Sequence, residues 1–281
     1  MVNTHRVTTL QDALRYLDEN DCYIVNGGTD AMVQHRSWAE TPVAFPKDTL
    51  FIHDIKELNY IEAMPETFKI GGTCTYESLL FHPGCPKVLK ACLELFASPG
   101  IRNTATLAGN IANASPAADG LLVLYALNAQ IVLQSRNNKR ILPVMDMITG
   151  LKKTARNKDE LITEIVIPTT SFTHSYFKKI GGRKSDAISK VSFTGLARVE
   201  SGIIKDIRLA LGAVNITVVR RPEIEQDLIG KKVTDVISMI SDIKARYEPH
   251  IKPIDDQRST SRYRKTVAMN LIETFMKQLA Q

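Results

Sequence analysis

Cysteine is scarce and scattered in this chain. Cys22, Cys74, Cys85 and Cys92 form no C-x-x-C motif and have no companion pair of histidines at zinc spacing. Metal or iron–sulfur ligation within the chain is therefore not expected, and the four are read as free, mostly buried thiols. No apolar run approaches the roughly 20 residues of a membrane span, and residues 1–30 hold neither a signal-peptide apolar segment nor a cleavage site, so the expectation is a cytoplasmic protein without membrane attachment. Basic runs are missing too. The formal charge is +6, but lysine and arginine occur in nothing longer than pairs such as Lys152-Lys153 and are not interleaved with aromatics. Nucleic-acid binding is not expected, and the charge belongs to solvated or subunit-facing surface. There is no strand–G-x-G-x-x-G–helix unit, no G-x-x-x-x-G-K-[ST], no internal repeat and no low-complexity tract, which removes support for a Rossmann or P-loop nucleotide site.

What is present suits an ordinary globular protein: 281 residues, 44% hydrophobic and 23% charged, enough for about two domains with a substantial core. The most informative stretch is residues 104–119, Thr-Ala-Thr-Leu-Ala-Gly-Asn-Ile-Ala-Asn-Ala-Ser-Pro-Ala-Ala-Asp, which contains no Lys, Glu or Arg. Its polar atoms are short and its backbone is open to close approach, a composition suited to wrapping a ligand. Its end reads as a helix start, with Ser115 as cap, Pro116 at the first helical position and Asp119 three residues after the cap, ahead of the apolar run Leu121 to Leu127.

Upstream, Leu10, Ala13, Leu14 and Leu17 lie at helical spacing after a Thr9 cap, and Cys22 to Val25 reads as a short strand ending in Asn26-Gly27-Gly28-Thr29-Asp30 before another helical stretch. A strand, a glycine turn and a helix start expose several N–H groups at the positive end of a helix, a suitable cradle for a phosphate, although a Gly-Gly pair is also an ordinary tight turn. Strands are expected at Thr49 to Ile52 and Phe68 to Ile70, helices at Tyr76 to Phe81 and Lys87 to Phe96, and Gly71-Gly72 is read as structural. After Asp119 come a strand at Ala129 to Gln134, a hairpin turn at Arg136 to Lys139, a return strand at Arg140 to Leu142, and a strand at Leu161 to Ile167 closed by Pro168. The Thr- and Ser-rich run 169–175 is the expected domain boundary. Beyond it, strands at Tyr176 to Ile180, Val191 to Val199 and Ile203 to Leu211 precede helices at Glu223 to Gly230, Thr234 to Tyr247 and Arg262 to Leu279, the pattern of an α+β domain.

Two glycine-containing loops about eighty residues apart, each opening a helix, could clamp the two phosphates of a dinucleotide. Asn26-Gly27-Gly28-Thr29-Asp30, Thr106-Leu-Ala-Gly-Asn110 and Ser115-Pro-Ala-Ala-Asp119 resemble the loops of the FAD-binding (medium) subunit of molybdenum hydroxylases, the xanthine dehydrogenase and carbon monoxide dehydrogenase group. Lys179-Ile-Gly-Gly-Arg183 with Ala187-Ile188, Gly212-Ala213-Val214 through Arg220-Arg221, and Asp255-Asp256-Gln-Arg258-Ser-Thr260-Ser-Arg262-Tyr263-Arg264 are similar to that family's C-terminal domain in order and spacing. The resemblance covers nearly the whole chain. It implies an α+β protein: an FAD-binding region, 1–170, of two α/β subdomains (about 1–55 and 56–170, PCMH-type), then a C-terminal α+β domain, 171–281, with a small antiparallel sheet and helices.

Carried over residue by residue, the resemblance makes Val25, Asn26, Gly27, Gly28, Thr29 and Asp30 the pyrophosphate loop. Asn110 becomes the donor of the second loop, with Gly109 and Ala108 giving close approach and Thr106 a nearby hydroxyl. Asn113 and Ser115 would be polar neighbours of the ribityl and isoalloxazine end. Asp119 would accept from ribityl hydroxyls or, alternatively, only cap its helix. Lys179 would stabilise negative charge on the reduced flavin, the alternative being an exposed strand lysine beside Lys178, and Phe96 would stack on adenine unless it is core. Two departures stand out: Asn26 occupies a position where a small residue is usual, and Ala108 replaces the first glycine of the usual Gly-Gly-Asn. No cysteine-bearing insertion interrupts 120–140, so no iron–sulfur cluster is expected there. The implied function is to pass electrons from [2Fe-2S] clusters of a partner through FAD to NAD or another acceptor, in a xanthine dehydrogenase-like enzyme whose molybdopterin lies on a third polypeptide, with a dimer of heterotrimers as the expected assembly. The alternatives are a self-sufficient FAD-dependent oxidase or dehydrogenase and a flavin-free assembly protein.

Overall fold

The computed structural model describes residues 2–36, 42–184 and 186–281. The first unit holds β1 (Thr4–Arg6), α1 (Leu10–Glu19), β2 (Tyr23–Val25), α2 (Ala31–Gln34) and β3 (Thr49–Phe51). β3 lies between β1 and β2 and runs parallel to both. Parallel neighbours need a crossover, and α1 provides the first. Its Thr9 hydroxyl accepts from Asp12 N at 3.2 Å, and its Ala13, Leu14 and Leu17 face pack with Leu50, Ile52 and Ile55. The helical stretch foreseen after Asp30 is the single turn α2; the residues beyond Arg36 lie in part outside those described.

The second unit is a five-stranded sheet covered on one side by helices. Its chain order is β4 (Ile61–Ala63), β5 (Thr67–Gly71), α3 (Tyr76–Phe81), α4 (Lys87–Glu94), α5 (Pro99–Arg102), α6 (Leu107–Asn113), α7 (Asp119–Ala126), β6 (Gln130–Gln134), β7 (Lys139–Pro143), α8 (Val144–Met147), the ribbon of β8 (Ile148–Gly150) and β9 (Lys153–Thr154), then β10 (Leu161–Pro168). The sheet order is β4-β5-β10-β6-β7, antiparallel throughout. The four cysteines are free and buried, as expected.

Residues 169–173 lead to the third unit, the antiparallel sheet of β11 (His174–Ile180), β12 (Val191–Glu200), β13 (Ile203–Gly212) and β14 (Val219–Arg220), followed by α9 (Pro222–Gln226), α10 (Val236–Tyr247) and α11 (Ser261–Leu279). Ser201 and Gly202, at φ 50° and 73°, make the β12–β13 turn with both residues left-handed, the geometry whose twist matches a two-residue hairpin. This is the α+β architecture the sequence led us to expect.

Helix α7 binds the units together. All eight of its residues are buried, and Leu196, Ala210 and Val218 of the third unit join the same core as Leu121 to Ala126 and the second sheet. Its start corrects the sequence reading. The helix begins at Asp119 with Ala118 at the cap, while Ser115 closes a separate turn in which its Oγ accepts from Ala117 N and its carbonyl from Ala118 N. The reason is tertiary: the Pro116 carbonyl, which a helix starting there would use internally, accepts from Ala213 N at 2.8 Å.

Candidate functional site

The glycine loop that follows β2 lies against the segment leading into α6. A Cβ built on Gly27 would overlap the Thr104 carbonyl oxygen, and Gly28 has φ +70°, so one glycine is required by close approach and the other by backbone conformation. The N–H groups of Asn26 through Ala31 donate to no acceptor among the described residues. An exposed run of unpaired N–H groups is a concave anion-binding surface. Val25, buried, anchors its start, Thr29 is partly buried, and Asp30 takes the cap position of α2.

The second loop faces it. Thr106 caps α6, its Oγ1 accepting from Gly109 N at 3.0 Å; the Leu107 N–H is turned to Cys74 O by the antiparallel bridge between Thr75 and Thr106, while the N–H of Ala108 has no acceptor among the described residues. Ala108 is buried and helical, outside the left-handed region, so its methyl is accommodated without backbone strain. Asn110 Oδ1 accepts from Leu121 N at 3.3 Å, capping α7, while its Nδ2 is left for another acceptor. Asn26 crosses from one loop to the other: its Nδ2 donates to Gly72 O at 2.8 Å and Thr106 Oγ1 at 3.0 Å.

Beside this cradle, Asn113 Oδ1 accepts from Lys152 Nζ at 3.0 Å and Gln34 Nε2 at 3.3 Å. Gln34 also donates to Asp30, whose carboxylate lies 3.7 Å from Lys152 Nζ. These contacts draw α2, the end of α6 and the β8–β9 turn together on the surface. Asp119 and Lys179 meet in the interior: Lys179 Nζ lies 2.9 Å from Asp119 Oδ2, with side-chain exposures of 9% and 4%. Ser189 Oγ donates to Asp119 Oδ1 at 2.6 Å and Lys179 Nζ to Leu95 O at 3.2 Å. The Lys179 ammonium also sits 5.9 Å from the centroid of Phe96, whose ring packs edge-on against Tyr76 at 4.4 Å. Burial raises the Tyr76 hydroxyl and the Cys92 thiol well above their ordinary pKa values, so both stay protonated beside the ion pair.

The structure thus brings Val25 to Asp30 together with Thr106 to Asn110, and Asp119 with Lys179 and Phe96; Asn113 joins the surface cluster and Ser115 a local turn. Sequence reasoning did not single out Gly72, Ser189, Lys152 and Gln34. Ser189 directly follows the quoted Ala187-Ile188 pair, but Gly72 and Lys152 carry no local signal, since their roles depend on partners distant in the chain. Tested against a dinucleotide, the residues fit: the unpaired N–H groups of the glycine loop, with that of Ala108 opposite, suit a diphosphate, and the Nδ2 of Asn110 adds a neutral donor.

Residues 1–170 match the family model for the FAD binding domain in molybdopterin dehydrogenase, and residues 175–279 that for the CO dehydrogenase flavoprotein C-terminal domain. The chain is 31% identical over 283 residues to the glyceraldehyde dehydrogenase medium chain of Sulfolobus acidocaldarius, covering 98% of this chain and 97% of that one. It is 26% identical over 282 residues to the xanthine dehydrogenase FAD-binding subunit of Escherichia coli O157:H7, covering 98% and 93%. Its fold is similar to that of a carbon monoxide dehydrogenase chain from Hydrogenophaga pseudoflava, at a TM-score of 0.89 and 22% identity, covering 98% of this chain and 96% of that one.

Proposed function

Because the chain belongs to the family of FAD-binding medium subunits of molybdenum hydroxylases, we propose that it relays electrons from the iron–sulfur clusters of one partner to NAD or another acceptor, substrate oxidation taking place at the molybdopterin of a second partner. Bound FAD supplies the redox chemistry, accepting electrons and handing them on. The observation that carries the reading is the glycine loop, whose N–H groups from Asn26 to Asp30 have no acceptor among the described residues, set against the start of α6.

In this reading residues 1–170 hold the cofactor, in subdomains divided near residue 55, and 171–281 close over it. The N–H groups from Asn26 to Asp30, in the loop that opens at Val25, and that of Ala108 bind the diphosphate, with Gly27, Gly28, Gly109 and Ala108 keeping the backbone approachable and Asn110 Nδ2 as side-chain donor. Thr29, Asn113 and Ser115 are the polar neighbours along the sugar chain. Asp119, whose carboxylate has lone pairs beyond the two used by Ser189 and Lys179, accepts from the ribityl end. Lys179 contributes positive potential to the flavin, and Phe96, partly buried beside it, stacks on adenine. Lys179→Gln is expected to lower the flavin midpoint potential, measured by redox titration; an unchanged potential removes Lys179 from the site.

The substrate is chosen on a partner subunit. A purine is suggested by the xanthine dehydrogenase branch, while the 31% identity to a glyceraldehyde dehydrogenase medium chain favours an aldehyde as a second reading. Turnover of xanthine against glyceraldehyde by the co-purified complex separates the two. For this chain the direct test is reconstitution with FAD and a visible spectrum: the paired near-UV and blue flavin bands at one equivalent are expected, and their absence would overturn the proposal.

A further inference from the structure

Among the described residues, Asn26 is the one side chain that ties the glycine loop to both neighbouring segments, through Gly72 O and Thr106 Oγ1. Its amide orientation follows from chemistry: a backbone carbonyl only accepts, so reversing the amide would set two oxygens against each other. That leaves Oδ1 at the opposite end, and this oxygen is buried with no donor among the described residues. Buried amide oxygens are ordinarily paired, so a donor beyond the described residues is expected here.

The identity of that donor is constrained by the cradle. A diphosphate presents only acceptors and cannot serve, but the sugar hydroxyls on either side of it can: those of the adenosine ribose and those of the ribityl chain. Thr106 is constrained as well. Its Oγ1 already accepts from Asn26 Nδ2 and from Gly109 N, both at 3.0 Å, which uses both lone pairs and leaves its proton to donate outward. Asn26 therefore turns the Thr106 hydroxyl into a fixed donor.

We infer that Asn26 is a two-ended clamp on the cofactor: its NH2 group fixes the glycine loop to the cap of α6 and turns the Thr106 hydroxyl toward the diphosphate, while its Oδ1 accepts a hydrogen bond from a sugar hydroxyl flanking that diphosphate. The inference rests on the FAD reading above and gives Asn26 a positive role in it.

The test is titration of the flavin-free full chain, read by flavin fluorescence, with FAD and with two analogues, one lacking the ribose 2′-hydroxyl and one lacking the ribityl hydroxyl nearest the diphosphate, in the wild type and in Asn26→Ala and Asn26→Ser. One neutral hydrogen bond corresponds to a loss of roughly 3- to 10-fold in affinity. The wild type is expected to lose that much with one analogue and not the other, which identifies the hydroxyl. Asn26→Ala is expected to bind FAD more weakly than the wild type and to lose nothing further with that analogue; a merely structural role would leave the two effects multiplicative. Equal losses in wild type and variant, or full wild-type affinity for both analogues, would overturn the clamp while the FAD reading stands. The wild-type arms decide this even if a variant misfolds. Failure of the wild type to bind FAD at all would defeat the FAD reading and the clamp with it.

Discussion

Gly27 and Gly28 are both small for different reasons, and substitution should separate them. At Gly27 a methyl would meet the backbone of Thr104, which cannot give way without moving the segment before α6, so Gly27→Ala is expected to lose bound flavin, measured as the flavin-to-protein absorbance ratio after dialysis. At Gly28 there is room, and only the left-handed φ of +70° opposes a side chain. Gly28→Ala should cost about 1 kcal/mol of stability while keeping most of the cofactor. Both glycines were legible in the sequence because a tight turn announces itself in two adjacent letters. The role of Asn26 was not, because Gly72 and Thr106 lie 46 and 80 residues further along. Glu160 gives a pH-dependent counterpart. Arg140 holds its carboxylate in a two-pronged bond of 2.6 and 2.8 Å, and Asn157 N donates at 2.7 Å. The Arg140 bond is the chief reason its pKa falls below the ordinary 4.5, against the opposing effect of burial. A carboxyl lowered on folding stabilises the protein above its unfolded pKa, and that contribution is lost as pH falls through the folded value. The melting-temperature gap between wild type and Glu160→Gln should therefore be full at neutral pH and close below about pH 4.5; a gap independent of pH would refute it.

Helix α7 is anchored at both ends by the C-terminal unit. Lys179 pairs with Asp119 at its start, and at its end Arg208 Nη1 donates to Ala126 O at 3.1 Å and Arg220 Nη1 to Tyr125 O at 2.6 Å. An acid at the first turn and arginines on the last carbonyls both complement the helix dipole. Arg220 also holds the buried Glu225, with Nη2 to Oε2 at 2.9 Å. Arg220→Ala strands that carboxylate and uncaps the helix, so a loss of about 3–5 kcal/mol is expected, or on the order of 10 °C in melting temperature. Replacing both Arg220 and Glu225 by Met should recover only part, because Leu209 N loses its Glu225 acceptor and Tyr125 O its donor; full recovery would mean that the cap contributes nothing. The sequence located most elements where a cap and an apolar period agree. The helix expected at about Tyr76 to Phe81 forms there because a threonine caps it locally, the Thr75 Oγ1 accepting from Ser78 N at 3.2 Å. The start of α7 was misplaced because the deciding bond comes from Ala213, and three-residue strands such as β1 and β4 went unseen because their identity lies in a partner rather than a period.

The same anchoring decides how the molecule unfolds. Two matched segments, 1–170 and 175–279, suggest units that could melt separately, yet the buried cluster around α7 includes Leu196, Ala210 and Val218 from the C-terminal unit. The interface also carries the buried Asp119–Lys179 pair and the bond from Ala213 N to Pro116 O. Separating the units would expose an all-buried helix and leave charged groups without partners, a penalty that makes the half-unfolded state less favourable than complete unfolding. Calorimetry is therefore expected to show one cooperative transition for the two. Ligand linkage supplies the sharper check: FAD at about 100 times its dissociation constant stabilises the native state by about 2.7 kcal/mol. Although every proposed diphosphate contact lies before residue 111, hydrogen exchange in α10 and α11 should slow by the same free energy as exchange in α7 if opening is global. Protection confined to the first 170 residues would instead show that the units open independently, and would deny α7 the coupling role its anchors imply.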